Sequence, residues 1–263
     1  MIQSPRATSG QPTDRSLGVL ANFRGVARFV FRNLKAKEAV NSCDGVFVRA
    51  VSVDGADKQG RPTLDAEEVA ACITKATGRY AVLYALLAGT GLRVGEALAI
   101  HAEPGDHTTI SPDCKTIHVR KSIWNGKEQE PKTPAAKRAV DLSDDLAAYL
   151  EEYISTRTYG LLFQTDSRKP IAQSNIIRDS LSGLGVSGFY CFRRFRNALL
   201  TEADCPEDLK KFWIGHATKD VSELYGKQTT MNLRRRQEWA EKVGLGFKIV
   251  VTQCDPSEVA NAA

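Results

Sequence analysis

The chain has 263 residues, 42% of them apolar and 25% charged, with a net charge of +5 and a sequence pI near 8.8. This is the balance of a globular protein with one large or two modest cores, basic enough to accept a polyanionic partner. No apolar run reaches the roughly 20 residues of a membrane span, and the start "MIQSPRATSGQPTDRS" lacks the apolar segment of a signal peptide, so a cytoplasmic protein is expected.

In chain order, residues 1–15 are polar and expected to be disordered. "LGVLANFRGVARFVFRNLKAKEAV" (17–40) has apolar residues at helical spacing, which predicts one or two amphipathic helices. Gly55, Gly60 and Pro62 mark the loop 52–62 as a domain boundary. "TLDAEEVAACITKA" (63–76) predicts a helix with a cap signal at Thr63. "GRYAVLYALLAG" is apolar almost all round, as a buried central helix is. Gly89 and Gly91 stop it, and "RVGEALAI" predicts a short helix with Arg93 at its N-terminus.

Between 108 and 142 the period changes to two: Ile117, Val119, Lys121 and Ile123 share a face, Asn125-Gly126 signals a turn, and Arg138, Val140 and Leu142 suggest the return strand. A small antiparallel sheet is expected. Helices resume at "SDDLAAYLEEYIST" with Ser143 as cap, then at "QSNIIRDSLSGL", "FYCFRRFRNALLTEA" and "PEDLKKFWIGHA", the last carrying His216 on its apolar face. Asp220 and Glu223 read as a capping box for a further short helix, with Tyr225 just past its first turn. The tail 248–263 adds a short strand or helix before disorder. The fold class expected is mainly α with a small antiparallel β-sheet.

Six cysteines (Cys43, Cys72, Cys114, Cys191, Cys205, Cys254) show no C-x-x-C pairing, so free thiols and no metal site are expected. "FRRFRN" (192–197) and "NLRRRQEW" (232–239) set arginines beside aromatics, a composition suited to phosphate contact, or equally to a solvated helix face.

Five residues stand out together: Arg93 in "GTGLRVGEAL", Lys132 in "PKTPAAKRAVDL", Arg193 in "YCFRRF", His216 in "IGHA" and Tyr225 in "SELYGK". Their order and spacing resemble the catalytic set of the tyrosine recombinases, the phage integrase family, over roughly residues 61–247. The resemblance implies an integrase-like DNA breaking-rejoining fold, with Arg93 and Arg193 on the scissile phosphate, Lys132 on a β-hairpin, His216 beside them and Tyr225 as nucleophile. It implies that Glu96 steadies Arg93, and it makes Arg194 and Arg196 candidates for DNA contact. One departure stands: Tyr190 occupies the position where the family's H-x-x-R pattern has histidine.

The chemistry of these groups agrees with the resemblance. A phenol of pKa near 10 is a weak nucleophile until positive charge or a base activates it. Two guanidiniums on the non-bridging oxygens of a phosphodiester stabilise the added charge of a pentacoordinate transition state. Lys132 suits protonation of the departing 5′ oxygen. A 3′-phosphotyrosyl link conserves bond energy, so no ATP, divalent metal or other cofactor is expected. The implied partner is double-stranded DNA, with a homotetramer assembled on it, no membrane, and a nucleoid-associated location. Residues 16–60 resemble part of the family's helical DNA-gripping region. The alternatives are a type IB topoisomerase-like DNA relaxation activity, or a catalytically impaired DNA-binding relative.

Overall fold

The computed structural model describes residues 63–131, 136–155, 159–186, 188–215 and 230–249. The chain divides into two compact units, Met1–Arg61 and Pro62–Ala263, and every described residue belongs to the second. The helices expected over 17–40 and 220–227 lie outside the described residues, as does most of the tail. No described helix is long and apolar enough to cross a membrane.

Helix α1 (Ala66–Lys75) begins two residues later than the Thr63 signal suggests. Asp65 is its cap: the Asp65 side chain accepts from the Glu68 N–H at 2.8 Å and the Glu68 side chain accepts from the Asp65 N–H at 2.9 Å. Helix α2 (Arg79–Thr90) is buried from Ala81 to Thr90, as its all-round apolar character requires. It packs against α1, against α4 (Asp144–Ser155) and against α6 (Tyr190–Glu202), where Tyr84 stacks on Phe192 with centroids 5.3 Å apart. Gly91 ends α2 in the left-handed region (φ 68°), and a Cβ there would sit 3.0 Å from Ile214 and 3.2 Å from Arg196.

Helix α3 (Val94–Leu98) is shorter than "RVGEALAI" suggests, because Ile100 already belongs to β1 (Ile100–His101). β1 runs parallel to β2 (Thr108–Ile110), which is antiparallel to β3 (Thr116–Val119), itself antiparallel to β6 (Arg138–Asp141). The sheet, in order β1-β2-β3-β6, is therefore mixed rather than purely antiparallel. The alternating stretch 117–123 is also not one strand. β3 stops at Val119 because Thr108 Oγ1 accepts from the N–H groups of Arg120 and Lys121, at 3.0 and 2.9 Å. The chain then forms a separate hairpin of β4 (Ser122–Trp124) and β5 (Lys127–Gln129) around the Asn125-Gly126 turn, both residues having positive φ.

Helix α5 (Gln173–Asp179) and a 3₁₀ turn (Leu181–Leu184) divide the stretch expected as one helix. Helix α7 (Glu207–Ile214) ends at Gly215 (φ 70°), and His216, expected on its apolar face, lies outside the described residues. Helix α8 (Leu233–Val243) takes up the stretch "NLRRRQEW", for which a helix face was one of the two expectations; Asn232 caps it by accepting from the Arg235 N–H at 3.1 Å.

What fixes α7 and α8 to the sheet is Asp141, which is 1% exposed on β6. Its carboxylate accepts from Trp213 Nε1 at 2.8 Å, from Arg236 Nε at 2.8 Å and from Thr116 Oγ1 at 3.0 Å. Replacing Asp141 by alanine strands the buried Arg236 cation and the indole N–H, so urea unfolding should show a loss of about 3–5 kcal/mol.

Candidate active site

Arg93 is the N-cap residue of α3, and its side chain is 50% exposed. Its backbone N–H donates to Glu96 Oε2 at 3.0 Å and its Nη1 to Glu96 Oε1 at 2.9 Å. Glu96, one turn on, is 2% exposed. It also takes a two-pronged contact from Arg138 of β6, whose Nη2 lies 3.0 Å from Oε2 and Nη1 3.3 Å from Oε1. Burial alone would raise the Glu96 pKa; the Arg138 guanidinium and then the Arg93 N–H and charge outweigh it and hold the carboxyl below its ordinary value.

The same group of cations closes the end of α7. Arg138 Nε donates to the Trp213 carbonyl at 2.7 Å, and a Cβ on Gly215 would lie 3.0 Å from the Arg138 guanidinium carbon. Arg193 of α6, 5% exposed, donates through Nη2 to the Ile214 carbonyl and through Nη1 to the Gly91 carbonyl at 2.7 Å. Two of the last carbonyls of α7, which the helix itself leaves without partners, are thus satisfied by arginines. Burial and then the charge of Arg93 pull the Arg193 pKa down to about 10, with Glu96 pulling the other way. At neutral pH it remains a cation, and Arg93, Arg138 and Arg193 outnumber the Glu96 carboxylate they surround three to one. Such an excess of fixed, partly desolvated positive charge binds anions.

The other expected residues divide clearly. Tyr190, the first residue of α6, is 63% exposed, and Arg194 lies over its ring with the guanidinium carbon 5.6 Å from the centroid. Arg196, expected at a DNA surface, is 2% exposed and donates to the Gly244 carbonyl at the end of α8. It is a core strut, because the side of α6 that carries it faces Gly91 and Ile214. In "NLRRRQEW", Arg234 is exposed and pairs with Glu238, Arg235 meets Asp208, and Arg236 is buried on Asp141. Lys132, His216 and Tyr225 lie outside the described residues. Of the lysines flanking Lys132 in sequence, Lys121 and Lys137 both contact Glu130, whose carboxyl they hold down at about 2.

Arg138 and Asp141 were missed as site-building residues. Arg138 carried one available signal: an arginine in the alternating register of β6, opposite Val119, at a position that points inward. Asp141 carried none, since its partners lie 25, 72 and 95 positions away.

The fold is that of an integrase catalytic domain. A fragment of the Tn1549 transposon integrase in complex with a circular-intermediate DNA superposes with a TM-score of 0.57, at 14% identity, over 84% of this chain and 80% of that one. A second circular-intermediate complex gives 0.56 at 14% identity over 80% and 74%, and a complex with transposon right-end DNA gives 0.55 at 15% over 83% and 79%. No protein-family model and no curated protein matches the sequence.

Because the Glu96 carboxyl is depressed below its ordinary value of 4.5 in the folded state, it contributes stability that is fully present above that value and lost as pH falls below it. Glu96→Gln should therefore be clearly less stable than the parent at pH 7, with the gap narrowing below pH ~4. Paired urea titrations at the two pH values read this directly.

Proposed function

We propose that the protein is a tyrosine-type site-specific recombinase, cleaving and rejoining DNA strands through Tyr225. One observation carries this reading. The Arg193 guanidinium joins the Gly91 carbonyl, two residues before Arg93, to the Ile214 carbonyl, two residues before His216. Residues far apart in sequence, each singled out for the same phosphate, are thereby tied at their bases. The integrase fold and the excess of positive charge around Glu96 support it.

In this reading a phosphodiester of double-stranded DNA lies on Arg93 and Arg193. Among the described residues, Arg193 gives two of its five N–H donors to these carbonyls, and this reading assigns phosphate oxygens to the others. The Tyr225 oxygen attacks phosphorus as its proton passes to water, the P–O5′ bond breaks, and Lys132 delivers a proton to the 5′ oxygen. The products are a 3′-phosphotyrosyl link and a free 5′-hydroxyl, and reversal with a new 5′-hydroxyl rejoins the strands. His216 hydrogen-bonds the phosphate or the phenol, and Tyr190, a neutral donor, takes the family's histidine place. Residues 61–247 form the catalytic domain, 16–60 a partial DNA-gripping region, and a tetramer assembles on two duplexes. Neither ATP nor a cofactor is consumed.

A nicked suicide substrate, which loses its 5′ fragment after cleavage, should trap a covalent protein–DNA adduct with the parent chain and none with Tyr225→Phe. Equal adduct with both chains, or none with either, overturns the assignment; supercoil relaxation without recombinant product selects a topoisomerase instead. Tyr190→His should change the cleavage rate by less than about tenfold, equivalent to about 1.4 kcal/mol in the barrier. A gain of several hundredfold would mark the native tyrosine as a defect.

A further inference from the structure

We infer that His101, Glu103 and His107 form a binding site for a borderline divalent cation of the Zn²⁺ type. The three lie in "HAEPGDH", the connection from β1 to β2. They offer one ligand atom each, all within 4.8 Å of one another. His101 Nδ1 lies 3.3 Å from Glu103 Oε1. Two ligands held tetrahedrally about 2.0–2.1 Å from one zinc ion stand about 3.3–3.4 Å apart, so this pair already has the required edge.

The second observation is what holds the outer atoms. His101 Nε2 is 3.2 Å from Glu128 Oε1 on β5. His107 Nε2 donates to the Glu103 carbonyl at 2.9 Å. Glu103 Oε2 accepts from the Gly160 N–H at 2.7 Å. These outer contacts fix the two rings and the carboxylate, and His101 Nδ1 and Glu103 Oε1, hydrogen-bonded to each other, are the pair that the ion would bridge in place of a proton, with the third ligand atom from His107. Imidazole ligands in metal sites are oriented in this way, by a carboxylate or a backbone carbonyl on the far nitrogen. The loop is shaped for it too, since a Cβ on Gly105 would lie 2.2 Å from His107 Cε1, so only glycine lets the ring lie there. The rings of His101 and His107 have centroids 3.9 Å apart.

Two imidazoles and a carboxylate suit zinc better than magnesium or calcium, which prefer all-oxygen sets, and water completes the coordination at these half-buried side chains. The ion is structural: it fastens the β1–β2 connection to Gly160 and, through His101 and Glu128, to the outer strand of the β4–β5 hairpin. The phosphoryl chemistry proposed above does not pass through it, and the inference stands whether or not Tyr225 is a nucleophile.

The test uses the full chain stripped with EDTA and titrated with zinc chloride, followed by calorimetry and thermal unfolding, with cobalt(II) as a spectroscopic probe and circular dichroism as the check on folding. One ion should bind per chain, and Tm should rise by about 5 °C or more at a hundredfold excess over Kd. His107→Ala and Glu103→Gln should weaken binding at least ~100-fold, and the exposed outer partner change Glu128→Gln about 10- to 100-fold. His118→Ala should leave it unchanged. A parent chain that binds no zinc, variants that bind it as the parent does, or cobalt spectra with thiolate charge-transfer bands, which place the ion on cysteine, each overturn the inference.

Discussion

The buried Glu96 carboxylate, gripped by Arg138 from the sheet and by Arg93 from its own helix, is the contact on which the arginine cluster depends. Removing a carboxylate from water costs several kcal/mol, and only close, multiply bonded cations offset that. Here the geometry is good enough to keep it ionised, and the cations so ordered go on to hold other chain segments. Arg138 reaches the end of α7, and Arg193 reaches both that end and the turn before α3. Remove the carboxylate, and three neighbouring guanidiniums repel one another with nothing between them. Preorganisation of this kind, in which charges are fixed before a ligand arrives, is what an anion-binding catalytic site requires.

A single strand governs both flanks of the segment 216–229. β6 contributes Arg138, which bonds the carbonyl of Trp213, and Asp141, which bonds the Trp213 indole and Arg236. Arg236 in turn donates to the Thr230 carbonyl at 2.8 Å. The chain therefore enters that segment from an anchored α7 and leaves it into an anchored α8. His216 and Tyr225 lie in between.

The hairpin is held from two directions. At its base, Gly95 of α3 approaches so closely that a Cβ would lie 2.7 Å from the Ile123 carbonyl oxygen and from Ser122 Oγ. On its outer strand, Glu128 meets His101. The first contact ties the hairpin to the helix bearing Arg93 and Glu96, the second to the histidine cluster. Lys132 follows in sequence four residues after Glu128 and lies outside the described residues.

Local sequence was enough for the features whose causes span a few residues. The all-round apolar run of α2, the Asn125-Gly126 turn, the glycine stop before Arg93 and the Arg93–Glu96 pairing one turn apart are each encoded within four or so positions, and each is present. Beyond that range the sequence misleads or is silent. The arginine-rich stretches read as a phosphate-binding surface or, equally, as a solvated helix face, yet Arg193, Arg196 and Arg236 are buried, because their partners are carbonyls and a carboxylate brought in from other elements. β1 pairs in parallel with β2, and the alternating stretch 117–123 breaks after Val119, for the same reason: hydrogen bonds between distant residues decide them. Residue type and short-range period determined the helices, the turn and the candidate list; only tertiary contacts decided which charges face water and which hold the molecule together, since a charge is buried only where distant partners compensate its lost hydration.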